Sequence, residues 1–287
     1  MLWLCDKLSR GIQAARLIVP SSMEWNERNS VLILKLPRST FASYRPGQYF
    51  FVNIPEITMN EWHPFTASAV LEDEIIFYIK RLRANSNAFK RQPWTGRLAD
   101  LVASSPMYPA IRLSGPFGHT DFESYETVLL FAGGIGITPM IASFTTFMRE
   151  AIAKKANLRI KTVVLVWMSP ATVDFKMFRD IFALAAGSAD ALREKGGSIT
   201  TDSCSFYIRL HCTKKESWAA LTDPFSVDYV RLFVSEGRCD LQEVFTTFQA
   251  NGHNTIAAAC GPSSLSRAVS RQAARHGTDF HAEQFAF

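Results

Sequence analysis

Several features are scarce in this chain, and each scarcity removes a class of function. No apolar run reaches the roughly 18–20 residues that cross a bilayer, so the sequence offers no membrane span of its own. The five cysteines (Cys5, Cys204, Cys212, Cys239, Cys260) form no CxxC pair and have no histidine-rich cluster beside them. An odd, scattered set points to a reducing compartment and against a disulfide framework or a zinc site, so no metal ligands are expected. Lysine and arginine exceed aspartate and glutamate by 31 to 26, but they never form a block. That mild excess suits an anionic ligand or a membrane surface and gives no ground for a nucleic-acid partner. There is also no catalytic triad or carboxylate dyad, which turns attention to chemistry carried by cofactors.

What is present is a chain able to fold around a large core. With 47% hydrophobic and 20% charged residues over 287 positions, it reads as globular, with two domains or one large one. The opening "MLWLCDKLSRGIQAARLIV" is apolar, then basic, without a secretory apolar region or a small-residue cleavage site. It reads as a basic amphipathic helix that contacts a membrane surface, or as the tail of a membrane helix outside this chain.

The rest divides into two halves with different patterns. From about Arg28 to His119, "SVLILKL", "GQYFFVNIP", "DEIIFYIKRL" and "MYPAIRLSGPFG" are β-branched and aromatic runs between turn residues. Their spacing reads as a small antiparallel barrel or sandwich, with one helix around Trp94 to Ser104. From Glu126 onward, strands and helices alternate. "TVLLFAG", "TVVLVWM", "SFYIRLHCT", "YVRLFVS" and "TIAAACG" are the strands. Met140, Phe144, Phe147, Met148 and Ala151 mark one helical face, and Phe175, Phe178, Ile181 and Phe182 begin a second helix. Further helices are expected from about Asp240 and Ser263. Such alternation implies a parallel sheet with helices on both faces and ligands beyond the carboxyl ends of its strands.

Glycine is uncommon, 15 in all, yet three of them stand within "FAGGIGITPM" at Gly133, Gly134 and Gly136. The stretch reads as a strand, a tight turn and a helix start, with Thr138 as the cap and Pro139 as the first helical residue. Bare backbone facing a helix N-terminus is a place for phosphate, although an ordinary strand-to-helix turn has the same look.

In order along the chain stand "RPGQYFFV", "EWHPFTASA", "YIKRL", "WTGRL", "LSGPFG", "AGGIGITPM", "VLVWM", "SEGRCD", "ACGPSSL" and "FHAEQF". Together they resemble the cytosolic dehydrogenase region of the NADPH oxidase and ferric reductase family, within the broader ferredoxin-reductase group. The opening "LWLCDKLSR" is similar to the segment that leaves the last membrane helix of those proteins. The resemblance implies a two-domain, ferredoxin-reductase-like fold. Residues 1–22 would be a juxtamembrane segment, 23–122 an antiparallel FAD-binding β-barrel, and 123–287 an NADPH-binding α/β domain of Rossmann-like type.

The resemblance also assigns residues. His63, Pro64, Phe65 and Thr66 lie at a strand end where the family lays its flavin. Phe65 would pack on the ring, Thr66 would bond near N5, and His63 would serve the pyrophosphate side as neutral donor or cation. Tyr78, Ile79 and Lys80, then Trp94, Thr95 and Gly96, correspond to the second flavin segment. Gly133, Gly134, Gly136, Ile137, Thr138 and Pro139 would take the nicotinamide dinucleotide, with Cys260, Gly261 and Pro262 bordering the nicotinamide. Phe285 of the closing "FHAEQF" would cover the flavin, although this chain adds Ala286 and Phe287 beyond it. For the 2′-phosphate the family places an arginine after the tryptophan-bearing strand, where this chain has Pro170. A second arginine survives as Arg238, with Cys239 in place of the usual proline.

Function follows as an expectation. NADPH would deliver hydride to FAD, with residues 63–66 and 133–139 meeting across a shared cleft. Thr66, Cys260 and Phe285 would border the reacting rings. Single electrons would pass to haems in a six-helix membrane domain that this chain does not carry, and then to oxygen. The chain would be a fragment, a truncated gene product or an excised soluble domain of such a parent, on the cytosolic face of a membrane. Alternatives are a ferric-chelate reductase, a soluble reductase of the cytochrome b5 reductase kind, and a redox-inactive binding module.

Overall fold

Alternation of buried and exposed residues builds the first half of the molecule. A computed structural model describes residues 17–40, 44–45, 47–70, 74–82, 92–118, 120–153, 158–177, 204–214, 230–249 and 254–283. The chain forms two units, residues 1–119 and 120–285. In the first, β1 (Leu17–Ile18), β8 (Ile111–Phe117), β4 (Tyr49–Asn53) and β5 (His63–Thr66) lie side by side in that order. A second sheet has the order β2 (Ser22–Asn26), β3 (Val31–Pro37), β7 (Glu74–Lys80), β6 (Ala69–Val70). Every pairing in both is antiparallel.

The two sheets share one core. Leu32, Leu34 and Leu36 of β3, Phe50 and Val52 of β4, and Ile75, Phe77 and Ile79 of β7 meet there. Phe50 and Phe77 pack edge to face with centroids 5.8 Å apart, a favoured aromatic geometry. Helix α1 (Trp94–Ser104) adds Trp94 and Leu98, one turn apart, to the same core. Pro93 starts the helix with an extended backbone that cannot itself be helical.

The second unit is one sheet of six strands, all parallel. Its order is β12 (Val230–Glu236), β11 (Ser205–Cys212), β10 (Thr162–Ser169), β9 (Thr127–Gly133), β13 (Thr255–Cys260), β14 (Asp279–Glu283). Strands β9, β10 and β13 are almost wholly buried because helices cover both faces. Helix α2 (Ile137–Ile152) lies on one face, where Phe144 meets Phe206 edge to face. Helices α4 (Leu241–Gln249) and α5 (Ser263–Arg275) lie on the other, where Phe131 stacks on Phe245 at 5.6 Å. Between β10 and β11 the described chain includes α3 (Thr172–Met177) with Phe175 buried; Phe178, Ile181 and Phe182 lie outside the described residues.

Two expectations need correction. Thr138 does not cap the helix, and Pro139 is not its first residue. A 3-10 turn over Gly134–Gly136 runs straight into α2, which begins at Ile137, so the entry is two residues earlier than the Thr-Pro pair indicates. The Thr138 hydroxyl instead donates to the Ile135 carbonyl at 3.2 Å. Helix α2 also buries far more than one face, with Ile137, Ile141, Ala142, Ser143, Thr145 and Ile152 as hidden as the five predicted positions.

Candidate functional site

The strand order of the second unit reverses between β9 and β13. From β9 the chain moves outward through β10, β11 and β12, then returns to place β13 on β9's other side. Such a reversal opens a crevice at the carboxyl ends of the two central strands. Those ends carry Gly133–Pro139 and Cys260–Pro262, so the structure brings together two motifs that are more than a hundred residues apart in sequence.

The contact between them explains the glycines, each differently. Gly136 has an ordinary helical φ of −60°, yet a β-carbon there would stand 2.3 Å from the Cys260 carbonyl oxygen. Gly133 and Gly261 likewise meet backbone to backbone, and a β-carbon on Gly261 would lie 2.9 Å from the Gly133 nitrogen. Gly134 is the opposite case. Its φ is +54°, which side chains resist, and among the described residues nothing lies within 4 Å of its would-be β-carbon. Of the three turn glycines, two therefore seat the neighbouring strand end, and Gly134 leaves open space before an uncapped helix start. The turn is pinned from below by Trp167, whose indole N–H donates to the Gly134 carbonyl at 2.9 Å. Sequence reading passed over that tryptophan. The signal was there, since a buried indole N–H needs an acceptor.

Cys260 is fully buried, and its carbonyl, rather than its thiol, meets the turn. Burial and the nearby Glu283 carboxylate push the thiol well above its usual range, so it stays protonated. On β14, His281 Nε2 lies 3.0 Å from both Glu283 Oε1 and Thr120 Oγ1. Phe285 lies outside the described residues.

Arg238 is exposed just beyond β12. Three strand spacings, about 14 Å, separate β12 from β9. Gly237 fixes the approach, donating its N–H to the Cys212 carbonyl at 2.8 Å. Pro170 is exposed at the end of β10, after Ser169, whose hydroxyl donates to the buried Asp174 carboxylate. His211, one residue before the end of β11, is buried, and neither ring nitrogen has a partner among the described residues. Burial first, and then Arg209, lower its pKa to about 4 against the opposing pull of Glu243.

In the first unit the tetrapeptide His63–Thr66 is a strand in its own right rather than the end of one. Alternation sends His63 and Phe65 to one face and Pro64 and Thr66 to the other. His63 lies over Trp94 with centroids 4.5 Å apart, and Phe65 reaches the same indole at 5.9 Å. Thr66 is buried opposite Tyr49, and Pro64 pairs with Phe51. Tyr78 and Ile79 are buried at the end of β7, Lys80 is half-buried, and Gly96 is buried in the first turn of α1. The Leu82 N–H donates to the Thr95 hydroxyl at 2.9 Å, tying the chain after β7 to α1. His63, Phe65, Trp94 and Thr95 thus gather around the start of one helix.

Two polar atoms in that cluster, His63 Nε2 and Trp94 Nε1, are buried and have no partner among the described residues. Glu61 is 3.8 Å from the His63 nitrogen, too far for a hydrogen bond, and is itself taken by Arg97. Burial lowers the His63 pKa despite Glu61, which leaves a neutral ring. The loop before the strand is held by Asn53, whose amide donates to the carbonyls of Thr58 and Glu61. An aromatic shelf with two orphaned buried polar atoms fits a planar heterocycle bearing acceptor groups.

The flavin expectation is met by residues 21–121, which match an FAD-binding domain model. Residues 125–274, more than half of the chain, match the ferric reductase NAD binding domain. The chain belongs to that family. It is an oxidoreductase whose cofactors are FAD and NADPH, of the NADPH oxidase and ferric reductase group. Mouse NADPH oxidase 1 is 29% identical over 183 residues, which are 62% of this chain and 29% of that protein. A superoxide-generating NADPH oxidase heavy chain of Dictyostelium discoideum is 33% identical over 153 residues, 47% of this chain and 28% of that one. The chain thus spans less than a third of the length of these relatives.

Among solved structures, the cytochrome b5 reductase domain of Ulva prolifera nitrate reductase superposes with a TM-score of 0.59 at 15% identity, covering 93% of this chain and 96% of that one. The FAD/NAD binding domain of nitric oxide dioxygenase from Vibrio cholerae gives 0.58 at 18%, covering 94% and 98%. These fix the fold as ferredoxin-reductase-like. Among the described residues no helix is long and apolar enough to cross a membrane, and no cluster suits a metal ion.

Proposed function

We propose that this chain takes hydride from NADPH and passes single electrons to the haems of a membrane domain, on that membrane's cytosolic face, with oxygen as final acceptor. The observation that supports this reading most is the shelf of His63, Phe65 and Trp94 with its two unpartnered polar atoms. When bound, FAD supplies the conversion between two-electron and one-electron transfer, and the protein sets position and surroundings.

Each segment has a part. His63, neutral through burial, donates to a flavin acceptor, and Trp94 offers its indole N–H beside it. Phe65 supplies an apolar ring surface, Thr66 a hydroxyl on the opposite face, and the segment around Lys80 and Thr95 the phosphate side. Gly134 leaves bare backbone for the NADPH pyrophosphate, before the positive end of α2. Cys260, Gly261 and Pro262 border the nicotinamide, and the high thiol pKa keeps Cys260 from competing as a nucleophile. Phe285 closes the flavin face. Arg238 binds the 2′-phosphate at the far end of the sheet edge, the role that Pro170 cannot fill.

The test is an anaerobic titration of the FAD-reconstituted chain with NADPH and with NADH. NADPH is expected to bleach the flavin absorbance; no bleaching with either nucleotide would leave only a redox-inactive module. Arg238→Ala is expected to weaken NADPH about tenfold with NADH unchanged, and equal losses would remove the clamp assignment. A ferric chelate as final acceptor is the second reading, favoured by the family description of residues 125–274.

A further inference from the structure

Helix α5 (Ser263–Arg275) carries an unusual distribution of charge. Its sequence, SSLSRAVSRQAAR, has three arginines and no acidic residue. Arg267, Arg271 and Arg275 follow one another at i, i+4 and i+8, so they form a single stripe along the helix. All three are exposed, and among the described residues none of them meets a carboxylate. Four other described cations do meet one: Arg81 with Asp100, Arg97 with Glu61, Arg209 with Glu243 and Lys161 with Glu126. Like charges at this spacing repel by a few tenths of a kcal/mol per pair, so the stripe works against the helix that bears it.

The opposite side of the helix is already committed. Val269 and Ala273 are fully buried, and Leu265 packs on the same cluster with Phe131, Phe245 and Ala257 of the sheet unit. The helix therefore has no apolar face free to enter a lipid interface, which is what interfacial helices use for anchoring. What remains outward is serine, alanine and guanidinium. A guanidinium binds a carboxylate through two parallel hydrogen bonds, a directional recognition that a diffuse layer of headgroups does not need.

We propose that this face of α5 docks an acidic polypeptide segment of a partner protein. At 1.5 Å of rise per residue, consecutive arginines stand about 6 Å apart along the axis and the stripe is about 12 Å long. A partner helix with carboxylates four residues apart matches that repeat, and so does an extended strand with carboxylates at alternate positions, about 6.6 Å apart. Arg267, Arg271 and Arg275 are not among the residues assigned to either cofactor, so docking there does not depend on the reading of the cofactor site.

The test uses the full chain, FAD added, and two fluorescein-labelled alanine-based peptides of equal net charge. One carries glutamates at i, i+4 and i+8, and the other carries the same glutamates bunched at one end. The spaced peptide is expected to bind at least about tenfold more tightly than the bunched one, and its binding should weaken as salt rises. The triple variant R267E/R271E/R275E should lose that binding while its melting temperature and NADPH oxidation stay unchanged. A spaced lysine peptide should then bind the triple variant, a rescue that an unfolded protein cannot give. Equal binding of the two glutamate peptides overturns the proposal, as does unchanged binding by the triple variant or a lysine peptide that fails to bind it. Phosphatidylcholine vesicles containing phosphatidylserine provide the remaining arm. Capture of the chain by these vesicles, lost in the triple variant and stronger than the spaced peptide's binding, would assign the face to lipid and overturn the peptide reading.

Discussion

The two halves of this molecule prepare for a cofactor in opposite ways. In the first unit the candidate site is made of side chains: an imidazole and a phenyl ring lean on one indole, with polar atoms left without partners. In the second it is made of main chain, two strand ends brought so close that only glycines fit between them. A side-chain site can be retuned one group at a time, whereas a backbone site tolerates many chemistries around it but no added volume. The sharpest check is Gly136→Ala. Its φ of −60° suits alanine, so the whole cost comes from a methyl driven against the Cys260 carbonyl. A loss of about 3 kcal/mol or more in urea unfolding is expected, with NADPH oxidation lost as the strand ends part. A variant as stable as the parent would mean that the two strand ends are free to separate, and the contrast between the halves would fall.

Each unit also holds a histidine with buried, unpartnered nitrogen, and the two differ in what burial does. His63 stands half-exposed beside Glu61 and Arg97, whereas His211 is buried in the sheet with Arg209 on its own strand and Glu243 on α4 as its charged neighbours. A native pKa of about 4 against an unfolded value of about 6.5 means that the unfolded chain takes the proton first as pH falls. Above pH 6.5 His211 has no such effect on stability. Between about pH 6.5 and pH 4 it removes up to about 3 kcal/mol. His211→Leu is expected to flatten that part of the stability profile, measured by urea unfolding at each pH. An unchanged slope in the variant would place the acid sensitivity elsewhere.

The next effect in size concerns ligand binding in the side-chain half. His63→Leu removes one orphaned donor and keeps an apolar side chain over Trp94. FAD affinity, followed by flavin fluorescence, is expected to drop about tenfold, the value of one hydrogen bond to a charged or strongly polar acceptor, with little change in melting temperature. If stability falls and FAD affinity does not, the ring is there for packing and the shelf is not a ligand site.

Much of this was legible in the sequence, and the reasons differ by half. Strands such as Thr127–Gly133 and Thr255–Cys260 announce themselves because a doubly covered parallel strand is apolar throughout, and the described helices from Leu241 and Ser263 begin where the pattern put them. Short edge pieces such as Leu17–Ile18 and Ala69–Val70 carry too few residues for any period to show. The clustering of His63 with Trp94 depends on how β5 and α1 pack, which no local pattern encodes. The same holds for Trp167 under Gly134 and for the Asn53 clamp. The Thr138 cap was misread because Thr-Pro is a good helix start in isolation, while here a 3-10 turn of glycines had already begun the helix.

Gly134 gives the smallest and most discriminating change, because it is the one glycine of the turn required by conformation and not by contact. Alanine at φ +54° costs roughly 1–2 kcal/mol, since the β-carbon crowds its own backbone, while among the described residues nothing outside lies within 4 Å to resist it. Asparagine tolerates that conformation better, so Gly134→Asn should recover much of the stability that Gly134→Ala loses. Both place atoms in the open space where the NADPH pyrophosphate is proposed to lie, and both should raise the KM for NADPH severalfold, asparagine no less than alanine. The pair therefore separates the two roles of one residue: stability follows backbone strain, and KM follows occupied volume. If KM instead tracks stability across the two variants, the space above Gly134 is not where the dinucleotide approaches, and the backbone half of the comparison would have to be moved to the contact between Gly133 and Gly261.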